Sequence, residues 1–355
     1  MRQLWIDTET FSPTPITAGT FRYMADLMFE VMLVTYALDD GPVRLWDRTA
    51  GLDCPVDLAD ALHDPAVQIV AHNAPFDYLA MSTFWPTPRE RWHCTMVQAL
   101  SHSLPGGLAK LCEVLRVATD DAKDKRGRQL IQRFCKPVNG ERCSSATHPK
   151  EWREFCDYAT QDIVAMRACH KRMPTWNMTD FERRLWLLDQ EINTRGFKVD
   201  TDLAEAAVRA TTREKARLAR RTVELTDGEV ERATQRDRLL AHILGEHGVL
   251  LPDLSASTLE RRMLDQDLPS ELRELLAVRL QASTASTSKY STMLKAVNDD
   301  GRLRGALQFN GANRTGRWAG RHVQMQNFPR VTLPREEIDN AVEALKMGCE
   351  DLIYG

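Results

Sequence analysis

The sequence predicts an α/β protein whose second half turns mainly helical, and three observations carry that prediction. Short apolar runs separated by turn chemistry occupy residues 3–7, 30–38, 43–47 and 67–71. A long segment, 149–172, repeats Trp152, Phe155, Ala159, Ile163 and Met166 at three- and four-residue steps, the period of a helix. Beyond residue 203 the chain is rich in Ala, Arg and Glu, with few strand signals.

At 355 residues the chain exceeds one typical domain and suggests roughly two or three. Apolar residues at 43% and charged residues at 27% indicate an ordinary folded, water-facing protein. A formal net charge of −3 gives no global basic signal, so any nucleic-acid contact must come from local clustering. Eight cysteines lack C-x-x-C or other zinc-ligand spacing. No signal peptide or long apolar span is visible, so the expectation is a cytosolic protein with reduced thiols and no membrane partner.

The first strand carries Leu4-Trp5-Ile6-Asp7-Thr8-Glu9-Thr10. Residues two apart in a strand share a face, so Asp7 and Glu9 project the same way and can converge on one divalent ion. Asp39-Asp40-Gly41-Pro42 turns the second run into the third, which makes the first three runs a meander. The fourth run leads into His72-Asn73-Ala74-Pro75-Phe76-Asp77, where Pro75 suits the first turn of a helix and Asp77 sits early in it. A carboxylate there gains from the helix dipole, but clustered with Asp7 and Glu9 it would require a cation. His72 is read as structural. His93 and Cys94 are neighbours in an extended segment, point opposite ways, and are read as packing residues.

Helices are predicted over 95–101, 108–115 and 128–134, with an irregular polar stretch at 137–147. On the long helix that follows, Tyr158 and Asp162 lie four apart and therefore one turn from each other on one face. Pro174 breaks the chain. Thr179 and Glu182 form a capping-box signature for a helix running to Arg195, with Phe181, Leu185, Leu188 and Ile192 as its apolar stripe and Gly196 as its stop. A short extended connector over 195–200 precedes helical stretches at 203–226, 236–244, 257–264 and 270–297.

D-T-E at 7–9, N-A-P-F-D at 73–77 and Y-A-T-Q-D at 158–162 resemble, in order and context, the three exonuclease motifs of the DEDD superfamily in its tyrosine variant. The resemblance implies a ribonuclease H-like exonuclease, a mixed sheet flanked by helices, with two Mg²⁺ or Mn²⁺ ions roughly 4 Å apart around the scissile phosphate. It implies that Asp7 bridges both ions, that Glu9 and Asp162 complete the site that activates water, and that Asp77 supports the second. Tyr158 would orient the attacking water, since a phenol ionising near ~10 serves better as a hydrogen-bonding group than as a full base.

Residues 301–330 contain Arg302, Arg304, Arg314, Arg317, Arg321 and Arg330 and no acid, and this cluster points to a polyanion. Asn310, Asn313, Gln324, Gln326 and Asn327 add amide donors. The hydroxyl-rich run 283–290, ending in Lys289 and Tyr290, suits a phosphate backbone and would equally suit a linker. The wording of residues 314–330 resembles the entry to the palm in family A DNA polymerases. A-S-T-S-K-Y at 285–290 is similar to the thumb tip of their phage members. That resemblance implies an exonuclease domain over 1–173, a helical linker and thumb-like region over 174–300, and an incomplete palm from 301 to 355. It implies contacts to a primer-template duplex by Ser288, Lys289, Arg314, Arg317, Arg321, Gln326 and Asn327, with the single-stranded 3′ end entering the acidic site.

Nothing resembling the catalytic palm acids or the fingers helix precedes Gly355. The expectation is therefore a proofreading 3′-to-5′ exonuclease in a host cytoplasm, with polymerisation only alongside a second polypeptide carrying fingers and palm. Two competitors stay open, a DNA-clamping subunit with an idle nuclease site and a free-standing RNA 3′ exonuclease.

Overall fold

The computed structural model describes residues 2–118, 121–283, 288–312, 314–328 and 330–349. Packing divides the chain into two compact units, each made of two sequence segments. The first is Met1–Lys198 with Ala296–Phe328, and the second is Val199–Lys295 with Pro329–Gly355.

The first unit is built on a five-stranded sheet of β1 (Gln3–Phe11), β2 (Glu30–Leu38), β3 (Arg44–Asp47), β4 (Gln68–Ala71) and β5 (Trp92–Cys94) in the order β3-β2-β1-β4-β5. The predicted meander is present: β1 pairs antiparallel with β2, and β2 with β3. β4 and β5 add in parallel on the other side of β1. This is the mixed α/β sheet with flanking helices that the sequence led us to expect. β1 runs four residues further than its apolar pattern, so Asp7 and Glu9 lie within a paired strand rather than at its end.

The helices of this unit are α1 (Thr20–Met24), α2 (Val56–His63), α3 (Ala74–Ser82), α4 (Thr95–Ser101), α5 (Leu108–Val114), α6 (Asp121–Phe134), α7 (Pro149–Arg172) and α8 (Asp180–Arg195). Alternation along β1 distributes its side chains between two layers. Leu4 and Ile6 enter one apolar cluster with Leu58, Leu62, Ala74 and Ala80 of α2 and α3. Trp5 packs instead with Ile163 and Met166 of α7, and Phe11 with Phe155 and Ala159 of the same helix. The odd-numbered face of β1 therefore looks at α7, and Asp7 and Glu9 belong to that face.

Two sequence expectations need correction here. In α8 the capping threonine is confirmed, with Thr179 Oγ1 accepting from the Glu182 amide at 3.2 Å. The stripe is displaced, however: Phe181 and Leu188 are exposed, and Trp186, Asp189 and Asn193 are the buried residues. A polar pair is buried because it binds the segment that returns after residue 296. Asn193 Nδ2 donates to the Leu307 carbonyl at 3.0 Å, and the Leu307 amide donates to Asn193 Oδ1 at 2.9 Å. That segment forms strands not foreseen, β7 (Arg302–Leu303) against β6 (Phe197–Lys198), and the hairpin of β8 (Leu307–Ala312) with β9 (Arg317–Gly320).

The second unit is helical, as predicted: α9 (Thr201–Leu225), α10 (Arg236–His247), α11 (Ala256–Met263), α12 (Ser270–Ala282), α13 (Ser288–Ala296) and α14 (Arg335–Met347), the last not foreseen. Its core gathers Leu239, Ile243, Leu259, Leu272, Leu275 and Leu276. Asp200 caps α9 by accepting from the Leu203 amide at 3.0 Å, and its other oxygen meets Lys346 Nζ of α14 at 2.6 Å. Residues 284–287, part of the predicted hydroxyl run, and Asn313 lie outside the described residues. Among the described residues, no helix is long and apolar enough to cross a membrane.

Candidate active site

Asp7 and Glu9 project from the odd face of β1, and α7 carries Asp162 over the same face. The three carboxylates each offer an oxygen within 4.8 Å of the others, a group able to hold a metal ion. The strand pairing slips by one residue between Glu9 and Thr10, a bulge that ends the regular ladder beside the acids.

Asp77 reaches the cluster from the opposite layer. Asn73 takes a left-handed conformation (φ 64°), which asparagine tolerates better than most residues, and Pro75 follows inside the first turn of α3. That start sets Asp77, 2% exposed, against the even face of β1. There the backbone amide and hydroxyl of Thr8 both donate to Asp77 Oδ1, at 3.0 and 2.8 Å. Asp77 is not one of the three converging acids, but its charge is felt by Asp7 and Glu9.

The electrostatics of the group call for a cation. Burial, then the neighbouring Asp77 carboxylate, pushes the Asp7 carboxyl well above the ordinary range. Burial followed by Asp7 and Asp162 does the same to Glu9. Burial pushes Asp77 up to about 7 even though the Thr8 bonds pull the other way. The leading influences that raise these three carboxyls are burial and the neighbouring acids. Like charges crowded together away from water are costly, and hard carboxylate oxygens suit Mg²⁺ or Mn²⁺. The donor set therefore fits a divalent ion.

Tyr158 stands one turn before Asp162 on α7, with its ring packed into the aromatic cluster of Phe11, Phe134 and Phe155. Three neighbours of the site escaped the sequence reading. Thr8 was hidden as the spacer of D-T-E. Cys135, whose Sγ lies 3.7 Å from Glu9 Oε2, carries no signal in its local sequence. Gly127 sits against the Tyr158 ring, and the predicted helix over 128–134 begins one residue too late to include it, where the observed α6 starts at Asp121. His72 is structural as expected, its Nε2 donating to the Gly106 carbonyl at 2.8 Å and its Nδ1 2.9 Å from Thr95 Oγ1. His93 and Cys94 do point apart on β5, with His93 Nε2 2.9 Å from Gln98 Oε1 and Cys94 buried.

The arginine stretch is less free than its composition suggests. Arg302 donates to the Gly196 carbonyl at 3.0 Å. Arg304 donates to the Thr194 carbonyl at 2.7 Å and, as a fork, to both oxygens of Asp300 at 2.8 and 2.6 Å. These two hold the returning strands. Arg321 donates from Nε to Gln308 Oε1 at 3.2 Å and lines a cleft with Phe76, Asp189, Asn193 and His322. Arg314, Arg317, Gln326 and Asn327 are exposed in the first unit, whereas Ser288 and Lys289 open α13.

No protein-family model matches the chain. A DNA polymerase of Bacillus phage SP02 is 34% identical over 368 aligned positions, covering all of this chain and 56% of the relative. The chain is thus related along its whole length to a phage DNA polymerase, and spans little more than half of it. Among solved structures, the POL domain of Pol1 from M. smegmatis, in complex with DNA primer-template and dNTP, covers 93% of this chain and 53% of its own. Its sequence identity is 16% and its TM-score 0.51, a likeness of fold alone.

Proposed function

We propose that this chain is the proofreading part of a phage-type family A DNA polymerase, a metal-dependent 3′-to-5′ exonuclease that removes 5′-nucleotides from DNA ends. The observation that carries the reading is the meeting of Asp7, Glu9 and Asp162, brought from a strand and a distant helix to within 4.8 Å. In this reading Asp7, Glu9, Asp77 and Asp162 hold two Mg²⁺ or Mn²⁺ ions. When bound, such ions make a water nucleophilic near neutral pH and offset charge on the leaving oxygen.

The chain's own residues do the rest. Thr8 fixes one oxygen of Asp77, so that carboxylate cannot rotate away from the site. Tyr158 presents its hydroxyl one helical turn from Asp162 and orients the attacking water. The water oxygen bonds to phosphorus as the bond to the 3′ oxygen breaks. A free 5′-nucleotide and a shortened strand with a 3′-hydroxyl result.

Exposed Arg314, Arg317, Gln326 and Asn327, with Arg321, Ser288 and Lys289, are the proposed contacts to the duplex. Nucleotide addition would require fingers and catalytic palm acids in addition to the residues described. The test is single-turnover digestion of a labelled primer with Mg²⁺. Asp7→Ala with Glu9→Ala should remove cleavage and leave DNA binding measurable. A native protein that binds DNA yet releases no nucleotide would instead be a clamp, and a strong preference for a matched RNA would make it an RNA exonuclease.

A further inference from the structure

Gly127 lies in the middle of α6, the sole glycine of that helix, and is buried. Its φ is not positive, so the left-handed freedom of glycine is not what the position uses. Glycine inside a helix is disfavoured relative to alanine, so its presence calls for a steric reason. The reason is the Tyr158 ring. A Cβ at residue 127 would stand 2.0 Å from Tyr158 Cε2, 2.4 Å from Cδ2 and 2.5 Å from Cζ, deep inside the ring's own volume. The ring thus rests directly on the helix backbone.

The helix is held in place on both sides of that contact. Arg126 pairs with Glu154 at 2.6 Å and Arg133 with Glu151 at 2.9 Å, both across to α7. Phe134 stacks on Phe155 with ring centroids 5.3 Å apart. With α6 fastened to α7 before and after the glycine, a side chain at 127 could be accommodated only by moving the tyrosine.

We propose that Gly127 is a positioning residue: its bare backbone is the platform that sets the Tyr158 ring, and hence its hydroxyl, at the place from which it orients the attacking water. This rests on the role given to Tyr158 above. The experiment compares Gly127→Ala, Tyr158→Phe and the double variant in single-turnover cleavage of a 5′-labelled single-stranded DNA with Mg²⁺, alongside DNA affinity and thermal midpoint.

Gly127→Ala should slow cleavage by about tenfold to a hundredfold at unchanged DNA affinity. The double variant should be no slower than Tyr158→Phe, because once the hydroxyl is gone its placement no longer matters. Losses that multiply, or a native rate in Gly127→Ala while Tyr158→Phe is slow, overturn the proposal and leave the role of Tyr158 standing. A native rate in Tyr158→Phe overturns that role and the proposal with it. Should Gly127→Ala fail to fold, Gly127→Ala/Tyr158→Ala must melt with Tyr158→Ala alone, since the methyl then occupies vacated space, and a lower midpoint overturns the contact.

Discussion

Thr8 grips Asp77 twice, with its amide and its hydroxyl on the same carboxylate oxygen at 3.0 and 2.8 Å, and both residues are buried. The spacer of the D-T-E motif is therefore the residue that ties the second layer of the fold to the acidic cluster. Hydrogen bonds to a charged group contribute about 1.5–3 kcal/mol, more than neutral ones. Thr8→Val keeps the shape and the amide donor but loses the hydroxyl. It should lower unfolding stability by about 1–3 kcal/mol and slow cleavage, while Thr8→Ser should restore both. Urea unfolding and single-turnover digestion measure the two effects.

Removing the metal should expose the repulsion among the acids. In EDTA, Asp7→Asn removes one of the acids that raise one another's pKa in this crowded site, so the variant should melt higher than the native chain. With Mg²⁺ the order should reverse. A ligand at a hundredfold excess over its Kd stabilises by about 2.7 kcal/mol, and only the native site can collect that. A native chain whose midpoint ignores Mg²⁺ would contradict the metal assignment.

Acid should unfold the first unit partly through His72. Burial lowers its pKa to about 4, against about 6.5 in an unfolded chain. The folded state therefore keeps the ring neutral where the unfolded state takes up a proton. The contribution is complete above about pH 6.5 and is lost as pH falls through about 4. His72→Gln should be less stable at neutral pH, and should lose less between about pH 7.5 and about pH 4.5 than the native chain does. Denaturant titrations at the two pH values give the difference.

The arginines of residues 302–330 should separate into two classes. Arg304, forked onto Asp300 and bonded to the Thr194 carbonyl, should cost stability when replaced by Ala. Arg314 and Arg317 are exposed. Replacing both with Ala should leave the thermal midpoint unchanged, weaken duplex binding, and flatten the salt dependence by about two units of slope. Equal salt slopes in native and double-variant protein would remove these two from the DNA contact.

Much of this was legible because it is local. Periodicity located the long α7, turn residues located the meander, and a two-residue spacing put Asp7 and Glu9 on one face. Proline at 75 placed Asp77 in the first turn of its helix. What stayed hidden was set by partners distant in sequence. Asp189 and Asn193 are buried because the hairpin after residue 306 bonds to them, Trp318 Nε1 donating to Asp189 Oδ1 at 2.7 Å, and no pattern within α8 announces it. Composition likewise cannot tell a guanidinium that faces solvent from one that ties Thr194 or Gly196. Cys135 reaches Glu9 only through the packing of α6 and α7.

The chain passes from one compact unit to the other after Lys198, back after Lys295 and across again after Phe328. A protease that nicks any one of these crossings leaves the remaining two covalently intact, so no single scission can liberate either unit. Deleting everything beyond residue 198, the obvious way to isolate a minimal nuclease, would strip Asn193 of its partners at Leu307 and Asp189 of the Trp318 indole. A shortened version meant to stand alone has to carry residues 296–328 as well, spliced on in place of the excised loop of helices.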